Sequence, residues 1–142
     1  MTTREPDADE VRRAAAEIVD AFAATDGERY FTGFSPDATF LFHTEPARLD
    51  DRASYERLWG EWVESGWRVR SCESSGSHVQ TYPGGAVFSH DVATSVDTGD
   101  GGVESYRERE TIVFRVADTG AADGADARAL IAVHEHLSPA PA

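Results

Sequence analysis

The spacing of apolar residues changes from a helical to a strand-like pattern near residue 67. Before that point, apolar side chains recur every three or four positions, which indicates amphipathic helices. The predicted helices cover residues 9–24, 28–34 and 52–65, with one strand between them at 38–43. The predicted later strands cover residues 67–74, 78–82, 86–97, 103–116 and 130–138. This order predicts an α+β fold, with three helices on one face of a curved, mainly antiparallel sheet.

The composition limits the partners that the chain can bind. Its 26 acidic residues and 13 arginines, with no lysine, give a formal charge of −13. Such a surface repels phosphate backbones and anionic lipids, so we expect neither nucleic-acid nor membrane binding. The acidity serves solubility or reflects adaptation to high salt. The sequence shows no secretion signal and a single cysteine, Cys72, which favours a cytoplasmic protein.

The last predicted strand carries a carboxylate on its apolar face. Strand alternation places Glu135 on the same side as Ile131, Val133 and Leu137. A carboxylate that is buried with such a face needs a partner or a function.

The two longest predicted strands meet at a glycine-rich turn, which predicts a hairpin. We expect the strands to pair about the Asp100–Gly101 step, with the last strand beside them. Paired residues point to the same face. The inner face is then expected to hold His90, Arg109, Thr111 and Glu135.

This inner constellation has a functional and a structural interpretation. In the functional one, Arg109 and Glu135 orient an anionic or carbonyl-bearing ligand, Thr111 contributes to binding, and His90 or Glu135 acts as the acid or base. In the structural one, Arg109 and Glu135 neutralise each other and His90 bonds to the backbone. If Arg109 and Glu135 lie on opposite faces, His136 replaces Glu135 as the candidate.

Aromatic residues of the third helix are expected above this face. Tyr55, Trp59 and Trp62 recur at helical spacing and either line a ligand pocket or pack in the core. His43, which follows the first strand, is expected at the rim.

The opposite face of the sheet is expected to hold Ile112 and Phe114, together with His134 and His136. Ile112 and Phe114 are too apolar for open solvent, so this face predicts a homodimer with the two histidines in its interface.

The chain contains enough potential metal ligands, but their spacing indicates no metal site. The residues considered are His43, His90, Glu110, His134, Glu135 and His136. They show no compact ligand motif. We therefore expect no metal and no cofactor.

Three segments resemble the SnoaL-like family of the NTF2-like superfamily. Residues 26–40 are similar to its short helix and first strand, residues 109–114 to its Arg-x-Thr strand, and residues 134–138 to its last strand. The resemblance implies a cone-shaped fold, formed here by one domain over residues 1–142. Flexible tails are expected at 1–7 and 139–142, and a mobile loop at 117–128.

The superfamily includes isomerases, cyclases, dehydratases, hydrolases and non-enzymatic domains, so the resemblance leaves the function open. Against ketosteroid isomerases, Phe42 takes the place of the proton-abstracting aspartate and Ile18 that of the oxyanion tyrosine, so we expect no such reaction. The leading hypothesis is binding of a small, partly apolar molecule of unknown identity inside the cone. The alternatives are a cyclase, isomerase or hydrolase that uses His90 or Glu135, and a non-catalytic dimerisation module.

Overall fold

The computed structural model describes residues 4–117 and 129–141. Its helices are α1 (Ala8–Ala23), α2 (Gly27–Thr32) and α3 (Arg52–Glu64). An aspartate caps the start of each: the side chains of Asp7, Asp26 and Asp51 accept hydrogen bonds from first-turn amides. The helices therefore begin within two residues of where the sequence predicts them.

The described strands form one curved sheet. They are β1 (Phe34–Phe42), β2 (Trp67–Tyr82), β3 (Gly85–Thr98), β4 (Val103–Val116) and β5 (Leu130–Pro139). Their spatial order is β1-β5-β4-β3-β2, with β1 and β5 parallel and the other pairs antiparallel. The three helices cover one face of this open sheet, which confirms the predicted α+β cone.

The sheet differs from the prediction at its edges. The segments predicted as two strands at 67–74 and 78–82 form the single strand β2, which bulges between Ser75 and His78. Gly76 has a positive φ of 60° in the bulge, which glycine adopts without strain. The pairing of β2 with β3 therefore resumes at His78. Part of the predicted loop (118–128) lies outside the described residues. The same is true of residues 1–3 and 142 in the predicted tails.

The register of the β3–β4 hairpin differs from the prediction by one residue. His90 pairs with Glu110 rather than Thr111, and Val92 pairs with Glu108 rather than Arg109. Because side chains alternate between faces, a shift of one residue moves every β4 side chain to the other side of the sheet. The inner face of β4 therefore carries glutamates where an arginine and a threonine were expected.

The turn explains this shift. Gly99 and Gly101 have positive φ angles of 90° and 89°. The Thr98 amide donates to the Gly102 carbonyl at 3.1 Å, so three residues lie between the paired positions. A two-residue turn, as predicted, would have given the other register.

The same shift removes the basis of the predicted homodimer. Ile112 and Phe114 are 0% and 1% exposed and pack against the helices in the core, not on the outer face. The homodimer remains a prediction without that support. His134 and His136 lie opposite Val113 and Thr111, on the outer face as predicted.

No helix within the described ranges is long and apolar enough to cross a membrane.

Candidate functional site

Three carboxyl groups lie on the inner face of the sheet. Glu108 and Glu110 occupy alternate positions of β4, and Glu135 lies on the neighbouring strand β5. They are 8%, 7% and 2% exposed, so all three are buried. A bulge in β5 beside Phe114 turns Glu135 to this face. Burial of three acids together requires either shared protons or hydrogen-bond donors.

A tyrosine and a second carboxyl group hold Glu135 in place. The Tyr30 hydroxyl on α2 donates to Oε1 of Glu135 at 2.7 Å, and the Tyr55 hydroxyl on α3 lies 3.3 Å from that of Tyr30. Burial raises the pKa of Glu135 well above its ordinary value, and the nearby charge of Glu110 adds to the rise. The raised pKa favours the protonated form of Glu135, which can donate a hydrogen bond to the neighbouring Glu110.

His90 extends this hydrogen-bonded chain toward the edge of the sheet. Its Nε2 lies 2.6 Å from Oε1 of Glu110, and its Nδ1 lies 2.5 Å from Oγ of Ser74. Burial lowers the pKa of His90, which favours the neutral ring. We infer the tautomer in which Nε2–H donates to Glu110 and Nδ1 accepts from Ser74, because Glu110 then receives two donors.

The third carboxyl group belongs to a separate pair. Oε2 of Glu108 lies 2.5 Å from Nε2 of His43, which follows β1. Burial raises the pKa of Glu108, and His43 opposes that rise. Within the described residues, Oε1 of Glu108 has no hydrogen-bond partner. This oxygen is the most available acceptor of the three carboxyl groups.

Two adjoining cavities lie on this side of the sheet. The outer one has a volume of about 360 Å³, and the inner one of about 40 Å³. Phe22, Tyr55, Glu108 and Leu137 line both. Glu110 and Glu135 line the inner cavity, which has room for a water molecule or two but not for an organic ligand.

Half of the residues that line the outer cavity are aromatic. Its aromatic lining consists of Phe22, Phe42, Tyr55, Trp62, Trp67 and Tyr106. Its charged lining within the described residues consists of Glu45, Glu104 and Glu108, with His43 beside them. Volume and lining suit a small organic molecule, since ligand pockets span about 300–1,000 Å³.

A separate cavity of about 280 Å³ lies between α1 and the start of β5. The Arg29–Glu17 ion pair lines it, and none of the predicted site residues does.

The structure brings part of the predicted site together. Tyr55, Trp62 and His43 line the outer cavity, and Glu135 lines the inner one. Trp59 instead packs in the core, where its ring stacks on that of Tyr30 at a centroid distance of 4.9 Å.

Arg109 and Thr111 lie away from the cavities, contrary to the prediction. They pair with Ser138 and His136 across the outer face, and Arg109 is exposed. Arg109 and Glu135 therefore cannot form the expected salt bridge, because they point to opposite sides of the sheet. His136, the replacement candidate, is also exposed on the outer face and does not line the cavities.

His90 is buried but does not line either cavity. Both ring nitrogens of His90 have hydrogen-bond partners, so its role in the site is to position the Glu110 side chain.

Sequence reasoning missed Glu108, Glu110 and Tyr30. A signal was present, because Ile112 and Phe114 share a face with Glu108 and Glu110. The most apolar face of β4 is the buried one, and this parity would have placed both glutamates inside.

The described residues contain no group of three potential metal ligands placed to hold an ion. Phe42 and Ile18, which the sequence comparison matches to the two reacting groups of ketosteroid isomerases, are both buried core residues.

Solved structures with the same fold have different descriptions. An NTF2-like superfamily protein from Salmonella enterica has a TM-score of 0.77 and 14% identity, over 94% of this chain and 91% of that one. An NTF2-like protein of unknown function in nutrient uptake from Rhodospirillum rubrum has a TM-score of 0.75 and 16% identity, over 92% and 98%. A ketosteroid isomerase-like protein from Erwinia carotovora has a TM-score of 0.75 and 14% identity, over 94% and 96%. At such identities these similarities show the fold alone.

No curated protein matches the sequence. The sequence model of the SnoaL-like domain matches residues 11–120, which include most of α1, all of α2 and α3, and strands β1 to β4. The chain therefore belongs to the SnoaL-like family of the NTF2-like superfamily.

Proposed function

We propose that the protein binds a small, partly apolar organic molecule in the outer cavity. The observation that carries this proposal is an open cavity of about 360 Å³ whose wall is half aromatic and adjoins buried, hydrogen-bonded carboxyl groups. A purely structural domain would gain stability by filling such a space with side chains. Tyr55, Trp62 and His43 are the sequence-predicted residues that contact the ligand, and Glu108 joins them.

The test is a screen of small aromatic fragments by ligand-observed NMR, with cationic, neutral and anionic members in equal numbers. We expect fragments that bind with dissociation constants below about 1 mM. Thr44→Trp places a large side chain at the wall of the outer cavity and should abolish binding. Ala53→Trp is the matched control, because residue 53 is exposed on α3 and lines neither cavity.

Two results would count against the proposal. One is a screen in which no fragment of any charge binds. The other is binding that persists unchanged in Thr44→Trp, which would place the ligand elsewhere on the protein.

A second candidate function is proton-transfer catalysis on the bound molecule. It is favoured by the raised pKa of Glu135 beside the inner cavity and by Glu108, which lines both cavities and whose Oε1 has no partner within the described residues. A carboxyl group with a raised pKa can act as a general acid near neutral pH. Within this candidate, Glu108 exchanges protons with the bound molecule, Glu135 supplies or receives the proton across the inner cavity that both residues line, and His90 positions Glu110.

The catalytic candidate has its own test. A fragment identified in the screen is incubated with the protein in D₂O, and exchange of its C–H hydrogens is followed by NMR. We expect exchange that is lost in Glu135→Gln or Glu108→Gln and kept in Glu61→Gln, which lies on the exposed side of α3. Binding without exchange would leave the protein as a binder.

A further inference from the structure

The charges around the outer cavity all have one sign, apart from a histidine. Glu45, Glu104 and Glu108 line it, and no arginine does within the described residues. His43 can offset one negative charge at most, through its pair with Glu108. The cavity is therefore negative at neutral pH, and a carboxylate or phosphate ligand would be repelled.

Oε1 of Glu108, which has no partner among the described residues, indicates which chemical group the ligand carries. The Glu108 side chain is 10% exposed, and only its Oε2 has a partner in the described part of the chain. A buried carboxylate oxygen without a donor is costly, and a ligand N–H group would satisfy it. A charged N–H donor forms a stronger hydrogen bond with a carboxylate than a neutral one.

The aromatic residues that line the outer cavity also favour a positively charged ligand. Trp62, Trp67 and Tyr106 line the cavity together with Glu104 and Glu108. The faces of aromatic rings attract cations, most strongly in indole rings, and carry no attraction for anions. Aromatic rings and carboxylates in one lining thus favour the same ligand charge by two separate physical effects.

From this lining we infer that the ligand is an organic cation, a protonated amine on a small aromatic or aliphatic body, with its ammonium group at Glu108. The inference rests on the proposed function, because it names the ligand class of the same cavity. It also replaces the anionic or carbonyl-bearing ligand that the sequence suggested, since the expected cation, Arg109, lies on the outer face.

Three probes of nearly equal shape and different charge test the inference. They are phenethylamine, 2-phenylethanol and phenylacetate, titrated into the protein at about pH 8, where an alkyl ammonium group remains protonated. Dissociation constants are measured by NMR chemical-shift titration. We expect the amine to bind at least about tenfold more tightly than the alcohol, and the alcohol more tightly than the acid.

Variants connect this preference to particular residues. Glu108→Gln should reduce the preference for the amine over the alcohol to less than about threefold, because it removes the charge and keeps the shape. Trp62→Ala should weaken both the amine and the alcohol. Glu61→Gln removes one negative charge from an exposed position outside the cavities and should leave the preference unchanged.

The outcomes separate this inference from the proposed function. Equal binding of the amine and the alcohol, or tighter binding of the acid, would overturn the cationic ligand and leave the cavity as the binding site. If none of the three probes binds but neutral or anionic fragments of the screen do, the cationic ligand is also overturned and the cavity remains the binding site. Failure of the probes together with the whole screen would overturn both.

Discussion

Glu135 is a buried acid whose partners in the described part of the chain are a tyrosine hydroxyl and another carboxyl group. An ion pair with Arg109 would have kept Glu135 charged. The observed partners instead favour the protonated form, since burial penalises charge and Glu110 repels it. The contribution of Glu135 to the stability of the fold should therefore change with pH in the direction opposite to that of a salt-bridged glutamate.

The variant Glu135→Gln tests the direction of this pH dependence. The folded-state pKa of Glu135 is raised above its ordinary value of 4.5. The stability that it contributes is complete below pH 4.5 and is lost as the pH rises through the folded-state pKa. A glutamine keeps a donor toward Glu110 and an acceptor toward Tyr30 at every pH. We expect the variant to gain stability relative to the wild type as pH rises, by at most about 1.4 kcal/mol per pH unit.

Urea unfolding from about pH 5 to about pH 8 measures this difference. The lowered pKa of His90 has the opposite effect, because its contribution is lost as pH falls, but both proteins contain His90. Glu61→Gln is the exposed control and should follow the wild-type profile. Parallel profiles for the wild type and Glu135→Gln would mean that Glu135 is ionised in the folded protein.

At the scale of elements, the β3–β4 turn determines which side chains line the site. Gly99 and Gly101 both have positive φ, but only Gly99 is packed closely: a Cβ there would clash with the Ser65 carbonyl oxygen. A Cβ at Gly101 would meet nothing within 4 Å. Both Gly99→Ala and Gly101→Ala should therefore suffer backbone strain of about 1 kcal/mol or more, and Gly99→Ala an additional steric penalty.

Thermal or urea denaturation of the two variants separates strain from packing. We expect Gly99→Ala to unfold at clearly lower denaturant concentration than Gly101→Ala. Equal destabilisation would show that the end of α3 moves away without cost and that the turn is not fixed by this contact.

The register itself can be tested by truncating adjacent residues of β4. Ile112 is fully buried against the helices, whereas Val113 lies on the outer face and is half-buried. Ile112→Ala should cost about 2–5 kcal/mol of unfolding free energy, the usual range for such core truncations. Val113→Ala should cost less, because less apolar area is lost. The reverse order in urea unfolding would support the register predicted from sequence.

The sequence predicts the elements better than the site because the two depend on different distances along the chain. Local apolar spacing and capping aspartates determine α1 and α3, and their bounds agree with the prediction within two residues. Which residues face the cavity depends on turn length, so one extra residue at Gly99–Gly101 exchanges Arg109 for Glu108 and Glu110. The bulge in β5 restores Glu135 to the inside, and no local pattern predicts that bulge.

For the molecule as a whole, the negative charge acts on both folding and binding. The chain carries a formal charge of −13, and the outer cavity is lined by glutamates of the same sign. Repulsion among these charges opposes the compact state, while the same field attracts a cationic ligand. Added salt screens both effects, so it should change stability and binding in opposite directions.

Raising NaCl from about 10 mM to about 300 mM shortens the screening length from about 30 Å to less than 10 Å. We expect the thermal midpoint to rise, because screening relieves repulsion in the folded protein. We expect the affinity for phenethylamine to fall over the same range and that for 2-phenylethanol to stay nearly constant, since the alcohol has no charge to screen. A thermal midpoint that falls with salt would mean that ion pairs such as Arg29–Glu17 outweigh the repulsion. An amine affinity that does not respond to salt would mean that the cavity's charge is neutralised locally.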